Sequence, residues 1–321
     1  MGQLGRKIEK GKRKSGETNL QSPISNLTLP ISHSQFPATD LRQSKGFARF
    51  MERLGWSATW IGETLVLSRK VPLVGTLIRV QRPNLPLPLE ELEQLAREKK
   101  ATIVKIEPNL LVDGGNPQVL GDFRKDRSPI LPTRTIWINL TVSEETLLAN
   151  LEKDTRNLVR RAEKDGVIVV ESRDLKTFYS VWARNARDKN FFVPFEKELN
   201  ALWATIPEKH LLIAKFGGQA VAAALMLGFE KVLYYSFAGS SDEGRGVHAP
   251  YLLLWEVISR GKRWGYERLD LEGITDPKVG RTKSWSGFSH FKRGFGGTEV
   301  EFAGSFSKYY SLFGKIFGRF I

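Results

Sequence analysis

The chain has 321 residues, of which 41% are hydrophobic, and a formal net charge of +14. That length suits two domains with a sizeable core, and that composition excludes a disordered chain. Cysteine is absent, which excludes disulfides, thiolate metal sites and thiol nucleophiles.

So basic a balance points to a polyanionic partner such as RNA, nucleotide phosphates or an anionic membrane face, with bare solubility as the alternative. His33, His210, His248 and His290 show no metal-ligand spacing, so no metal is expected. No apolar run approaches the roughly 20 residues of a membrane span, and the N-terminus lacks an apolar signal core. A cytoplasmic protein is therefore expected.

Residues 1–35 read as a basic, disordered tail, with Arg6, Lys7, Lys10, Lys12, Arg13 and Lys14 crowded together. Asp40 can cap a helix that buries Leu41, Phe47, Phe50 and Leu54, and Gly55 stops it. Strand-like runs follow at Thr59–Ile61, Leu65–Ser68 and Leu77–Gln81. A helix then carries Leu89, Leu92, Leu95 and Ala96, and Ala101–Ile106 returns as a buried strand. The first half is thus a mixed α/β layer.

A second unit opens at Trp137. Thr141–Glu144 has capping-box spacing, and one helix is predicted from Glu144 to Asp165, burying Leu147, Leu151, Leu158 and Ala162. Val167–Val170 is a strand, and a helix burying Leu175, Phe178, Tyr179 and Trp182 follows. His210–Phe216, Ala220–Phe229 and Val232–Phe237 form an antiparallel meander. A helix from about Pro250 to Trp264 crosses to strand Glu267–Leu271. Three antiparallel strands, a helix and a further strand are the core order of a GNAT-type acyltransferase.

Several motifs carry possible chemistry. Lys153, Arg156, Arg160 and Lys164 stack on one helix face that suits a phosphate backbone; interleaved acids equally make it an ordinary solvated face. Arg156 and Asn157 flank the apolar seam. Asp270 and Glu272 end a strand where open α/β sheets bind ligands; exposed loop acids are the competing reading. Lys292 and Arg293 sit in the Gly-rich run Phe291–Gly297, where a lysine can meet a phosphate or an oxyanion, or merely form a basic hairpin turn. Tyr234, Tyr235 and Phe237 alternate along a strand, to line a cleft or fill a core. The basic, aromatic stretch from Phe302 to Phe320 suits packing on the first domain, with peripheral lipid contact as the alternative.

Together these segments resemble the Fem family of non-ribosomal peptidyltransferases. The resemblance spans about Phe36 to Gly297. It rests on Gln43-Ser44, Val80-Gln81-Arg82-Pro83, Lys105-Ile106-Glu107-Pro108, the basic run Lys153–Glu163, Ala249–Glu256, Asp270–Ile274 and Phe291–Gly297. It implies an α/β (α+β) fold of two GNAT-like domains facing across a cleft, here without the coiled-coil arm of some members. The domains would be residues 36–136 with 298–321, and 137–297. It further implies transfer of an amino acid from aminoacyl-tRNA to the stem-peptide amine of a nucleotide-linked or lipid-linked muramyl-peptide precursor. One departure is Met51, which stands where the family often shows a lysine that holds an acceptor phosphate.

Aminolysis of an activated ester needs alignment, worth about 7–11 kcal/mol, and an oxyanion donor, worth about 3–4 kcal/mol. It needs no dedicated nucleophile and no cofactor. On this reading Lys292 meets the oxyanion or the tRNA terminal phosphate, and Asp270 or Glu272 orients the acceptor amine. Arg82, Arg156, Asn157 and Arg293 contact substrate, and Tyr235 lines the cleft. Two alternatives remain. One is an acetyltransferase using acetyl-CoA, against which Gly244–Pro250 lacks the second glycine of a pyrophosphate loop. The other is a non-enzymatic RNA- or membrane-binding protein.

Overall fold

Two mixed sheets organise the chain, and each contains one parallel pair made by a strand–helix–strand crossover. The computed structural model describes residues 39–112, 120–188 and 196–311. The basic tail and the residues from Phe313 to Phe320 lie outside them.

Asp40 caps a single 3-10 turn, Leu41–Gln43, rather than the long helix expected. Ser44 then caps α1 (Lys45–Arg53) by accepting from Phe47 N–H. The first sheet has the order β1 (Ser57–Ile61), β2 (Thr64–Val71), β3 (Gly75–Gln81), β4 (Ala101–Glu107), β13 (Ser305–Tyr309), β5 (Arg124–Asp126). Helix α2 (Leu89–Glu98) links β3 to its parallel neighbour β4, packing Leu92 and Ala96 against Ile78, Val80, Val104 and Ile106.

The second sheet has the order β12 (Thr298–Glu301), β6 (Arg134–Asn139), β11 (Arg268–Asp270), β10 (Val232–Ser240), β9 (Gln219–Phe229), β8 (Glu208–Phe216), β7 (Ile168–Ser172). The predicted meander is β8–β9–β10. Each strand extends a few residues beyond its apolar run, because ladder hydrogen bonds continue past the buried side chains. Helices α3 (Glu144–Ala149), α4 (Lys153–Lys164) and α8 (Ala249–Arg263) cover one face, and α5 (Leu175–Asp188) and α6 (Glu196–Thr205) cover the other. Helix α6 was not foreseen. Short α7 (Asp242–Gly246) leads into α8, and α9 (Ser286–Arg293) follows β11.

The observed class is the one expected: α/β, two lobes each built on a mixed sheet and, among the described residues, no coiled-coil arm. Three local expectations are corrected. The predicted helix Glu144–Asp165 is two helices. Glu152 N–H leaves the helical ladder to donate to Gly294 O at 2.9 Å, and the Arg156 guanidinium closes the break by donating to Ala149 O and Leu151 O. Lys292 and Arg293 end a helix rather than sit in a loop. The glycines after them let the backbone approach its own neighbours: a Cβ on Gly296 or Gly297 would lie 2.6 Å from Asn150 O or Trp137 O.

The chain also crosses between lobes at slightly different points from those expected. Arg134 and Thr298–Glu301 pair within the second sheet, because β6 and β12 are each other's neighbours at its edge. From Ser305 the chain returns to the first lobe, where Phe306 is buried in the core.

Helix α1 joins the lobes. Ala48 and Met51 pack on Trp56, Leu65 and Leu67 in the first, while Phe47 and Phe50 pack on the core of the second. Met51 is thus a core residue. Gly46 faces α6 so closely that a Cβ would lie 3.0 Å from Thr205 O and 3.1 Å from Pro207 Cδ. Gly46→Val overfills this seam and lowers unfolding stability by about 1–3 kcal/mol in urea denaturation, with both lobes melting in one transition.

Candidate active site

Strands β10 and β11 run parallel for only three paired positions, from Val232/Arg268 to Tyr234/Asp270, and then part. Two local features separate them. Strand β10 carries a bulge between Tyr234 and Phe237, which bends a strand and raises its twist. Strand β11 stops at Asp270, and Glu272 adopts a left-handed φ of 56°. The gap opens into a cleft of about 990 Å³ at the carboxyl ends of the parallel pair, the position where open α/β sheets hold ligands. Its walls come from the second lobe: Tyr235 and Phe237 of β10, Trp182 of α5, Leu158 of α4, Tyr251 of α8, and Trp285, Phe288, Phe291 and Lys292 around α9.

Lys292 and Arg245 are the cations that line this largely aromatic space, and Lys292 is the buried one. Its Nζ donates to Leu271 O at 2.6 Å and to Gly273 O at 2.8 Å, and lies 4.8 Å from the centre of the Phe288 ring. An ammonium has three donors, so one remains for a ligand. Burial pushes this lysine down to about 8, against the upward pull of Glu272 and Asp270. It is therefore mostly charged at neutral pH and close to its titration point.

Asp270 lies behind the cleft, not in it. Its carboxylate is buried and accepts from Thr135 Oγ1 at 2.6 Å, Trp137 Nε1 at 2.9 Å and Glu272 N–H at 2.7 Å. Thr135 Oγ1 in turn accepts from Gly273 N–H at 3.1 Å. These bonds set the path of residues 271–273, whose carbonyls hold Lys292. Asp270 is thus a positioning residue. The strand ends at Asp270, so Glu272 stands on the turn that follows it.

Glu272 touches both the cleft and a cavity of about 10 Å³ at the junction of the lobes. It accepts from Arg42 Nη2 at 2.6 Å, and Arg42 also bonds Asp40 at 3.1 Å. Burial pushes the Glu272 carboxyl up, opposed chiefly by Arg42, while Asp270 and Asp40 add to the rise. Against the effect of its own burial, Glu272 and Asp40 hold Arg42 firmly protonated.

The other expected site residues lie elsewhere. Arg82 is buried at the lobe junction, donates to Pro132 O at 2.6 Å and lies 3.5 Å over the Phe302 ring. Arg156 closes the α3–α4 break. Asn157 is exposed on α4, beside Leu158 at the cleft. Arg293 donates to Glu299 at 2.6 Å. Tyr235 lines the cleft, and burial pushes its phenol well up. Sequence reasoning missed Arg42, Thr135 and Trp137, which lie more than 130 positions from their partners, and Trp285 and Phe288, which no period marked.

Among the described residues, no group of His, Asp and Glu side chains is arranged to hold a metal ion, and no helix is long and apolar enough to cross a membrane.

The family model of the FemAB family matches residues 185–313, which include β10, β11, α8, α9 and Lys292 of this cleft but not Leu158 or Trp182. That stretch is similar to the FemAB family. The crystal structure of FemX shares the fold with a TM-score of 0.76 and 18% identity, over 88% of this chain and 94% of that one. The C-terminal DUF2156 domain of a putative lysylphosphatidylglycerol synthetase from Agrobacterium fabrum follows with TM-score 0.58 and 13% identity, over 84% and 89%. L-PGS from Bacillus licheniformis gives TM-score 0.55 and 16% identity, over 82% and 88%. None of the curated proteins compared matches the chain. In its general form, the Fem assignment is that of a transferase of peptidoglycan-bridge assembly.

Removing one member of the Arg42–Glu272 pair leaves a largely buried charge alone, so Arg42→Met should cost about 3–5 kcal/mol in denaturation. The double change Arg42→Met with Glu272→Gln should recover most of that loss. Simple additivity of the two would show that the pair is not coupled.

Proposed function

We propose that this protein transfers an aminoacyl group from aminoacyl-tRNA to the stem-peptide amine of a muramyl-peptide precursor, nucleotide-linked or lipid-linked. One observation carries the reading: the buried Lys292 ammonium, fixed by two backbone carbonyls with one of its three donors left over, lines an aromatic-rich cleft at the parting of two parallel strands.

The chemistry needs little more. The acceptor amine attacks the ester carbonyl carbon, the carbonyl oxygen becomes an oxyanion, and the tRNA ribose oxygen leaves with a proton as the amide forms. Lys292 donates to the oxyanion. The surrounding rings exclude water, which strengthens that bond and protects the ester from hydrolysis. Glu272, at the rim and tied to Arg42, is placed to receive an ammonium or its released proton. The ester is already activated, so no cofactor is required. For RNA, Lys153, Arg160 and Lys164 form an exposed basic face on α4, the helix whose Leu158 reaches the cleft. The tRNA backbone would follow that face while its terminal adenosine enters among the aromatic rings.

The acetyl-CoA reading finds less support. The segment expected to hold a pyrophosphate is the short helix α7. Its Gly244 packs so tightly that a Cβ would lie 2.3 Å from Val221 O, and Arg245 turns back to donate to Ser240 O at 2.8 Å. Pro250 removes an N–H from the first turn of α8.

The direct test is mass spectrometry of muramyl peptides incubated with the protein and a mixture of charged tRNAs. A mass increase of one or more aminoacyl residues is expected, and none with acetyl-CoA. Lys292→Met should lower kcat about 10²–10³-fold, and undiminished turnover would remove Lys292 from the mechanism.

The pH profile gives a second test. The donor must be protonated, so kcat/KM should fall as pH rises through about 8. Glu272 raises the pKa of Lys292, so Glu272→Gln should move this descending limb to lower pH. A limb that stays in place would exclude Lys292 as its origin.

A further inference from the structure

The pole of the first lobe that points away from the second carries an unexplained feature. The β2–β3 hairpin turns through Val71–Gly75, and at its apex Leu73 has φ 65° and is 100% exposed. A leucine in the left-handed region is strained, and an exposed side chain recovers nothing from the folded core. Gly75 fixes the hairpin against β4, since a Cβ there would lie 2.4 Å from Thr102 Cγ2.

Exposed cations surround this apex. Arg69 and Lys70 end β2. Lys70 pairs with Thr76, and Thr76 pairs with Ala101, so the exposed residues Arg97, Lys99 and Lys100 at the end of α2 enter the same edge. Glu98 is the acid within that run. The chain also leaves the sheet here, because Tyr309 pairs with Ile103 and Tyr310 N–H donates to Thr102 O at 3.0 Å. The sequence that follows Ser311 reads Leu-Phe-Gly-Lys-Ile-Phe-Gly-Arg-Phe-Ile, with two cations, no acid and three phenylalanines. The opposite ends of β3 and β4 carry Arg82 and Pro108 at the lobe junction, roughly 23 Å away at about 3.3 Å per strand residue.

We propose that this pole docks on an anionic bilayer, with Leu73 entering the headgroup layer and Arg69, Lys70, Arg97, Lys99 and Lys100 held at lipid phosphates. Charge and shape select this occupant. Cations alone suit RNA equally well, but RNA gives no return for a solvent-exposed leucine at an apex, whereas an interface does. Each basic residue at such a surface changes partitioning by about fivefold. The proposal is independent of the reaction assigned to the cleft.

The test is sedimentation of the full chain with vesicles, either phosphatidylcholine alone or with roughly a third phosphatidylglycerol, a fraction that gives a strongly negative surface. Binding is expected to the anionic vesicles and to fall steeply with salt. Leu73→Asp, checked for native circular dichroism, should lower it about tenfold or more. Lys99→Glu with Lys100→Glu should lower it by at least as much. Leu73→Asp should leave tRNA affinity unchanged.

Equal binding to both vesicle types, or full binding by Leu73→Asp, overturns the proposal. Loss of tRNA binding in the lysine variant with vesicle binding intact reassigns the pole to RNA. The Leu73 effect should also persist when Phe317 and Phe320 are serine, and its disappearance there would place docking in the C-terminal sequence instead.

Discussion

The site depends on one buried carboxylate. Asp270 sits where β11 ends, and a carboxylate there without donors would be prohibitively costly. Thr135, Trp137 and the Glu272 amide supply those donors. Satisfying the charge fixes the left-handed turn at Glu272 and, through Thr135, the amide of Gly273. That turn presents the carbonyls of Leu271 and Gly273 to a lysine arriving from α9. The lysine's position is therefore set by backbone, which is stiffer than a side-chain partner and does not titrate. Burial and the opposing pull of the neighbouring carboxylates then tune its proton.

The two lobes repeat one plan and use it differently. In each, a helix carries the chain from one strand to a parallel neighbour. In the second lobe the pair parts, and the gap is open and aromatic. In the first, the corresponding ends are closed. Arg82 lies across them onto Phe302 and Pro132, and Glu107 accepts from the amides of Ile130 at 2.7 Å and Leu131 at 2.9 Å. The first lobe thus supports the second: it sends Arg42 to Glu272 and the Leu41 amide to the Tyr234 hydroxyl at 3.2 Å. One lobe has kept an opening, and the other has filled it with its own side chains.

Much of this was legible in the sequence, for physical reasons. The meander was clear because long apolar runs alternate with Gly-Gly and charged turns, and α8 was clear because a proline and an apolar stripe announce it. Lys292, Glu272 and Tyr235, singled out from a glycine-rich run, a strand end and an aromatic row, all line the cleft. The break at Asn150–Glu152 was hidden, since neither glycine nor proline marks it; it is imposed by Gly294, more than 140 positions later. The glycines after Lys292 suggested a ligand loop, whereas they serve close backbone packing. Basic residues misled most. Arg82 and Arg156 looked free to bind phosphate, but both are held by carbonyls of their own chain, and no local pattern distinguishes a captured guanidinium from an available one.

The most direct measurement follows the Lys292 side chain by NMR, on protein labelled at lysine Cε, during titration with a non-hydrolysable, amide-linked aminoacyl-adenosine that mimics the charged tRNA end. The account predicts a lysine signal that titrates near pH 8, shifts on saturation with the analogue and vanishes in Lys292→Met. A Lys292 signal that titrates like an exposed lysine, or is indifferent to an analogue that binds, would contradict it.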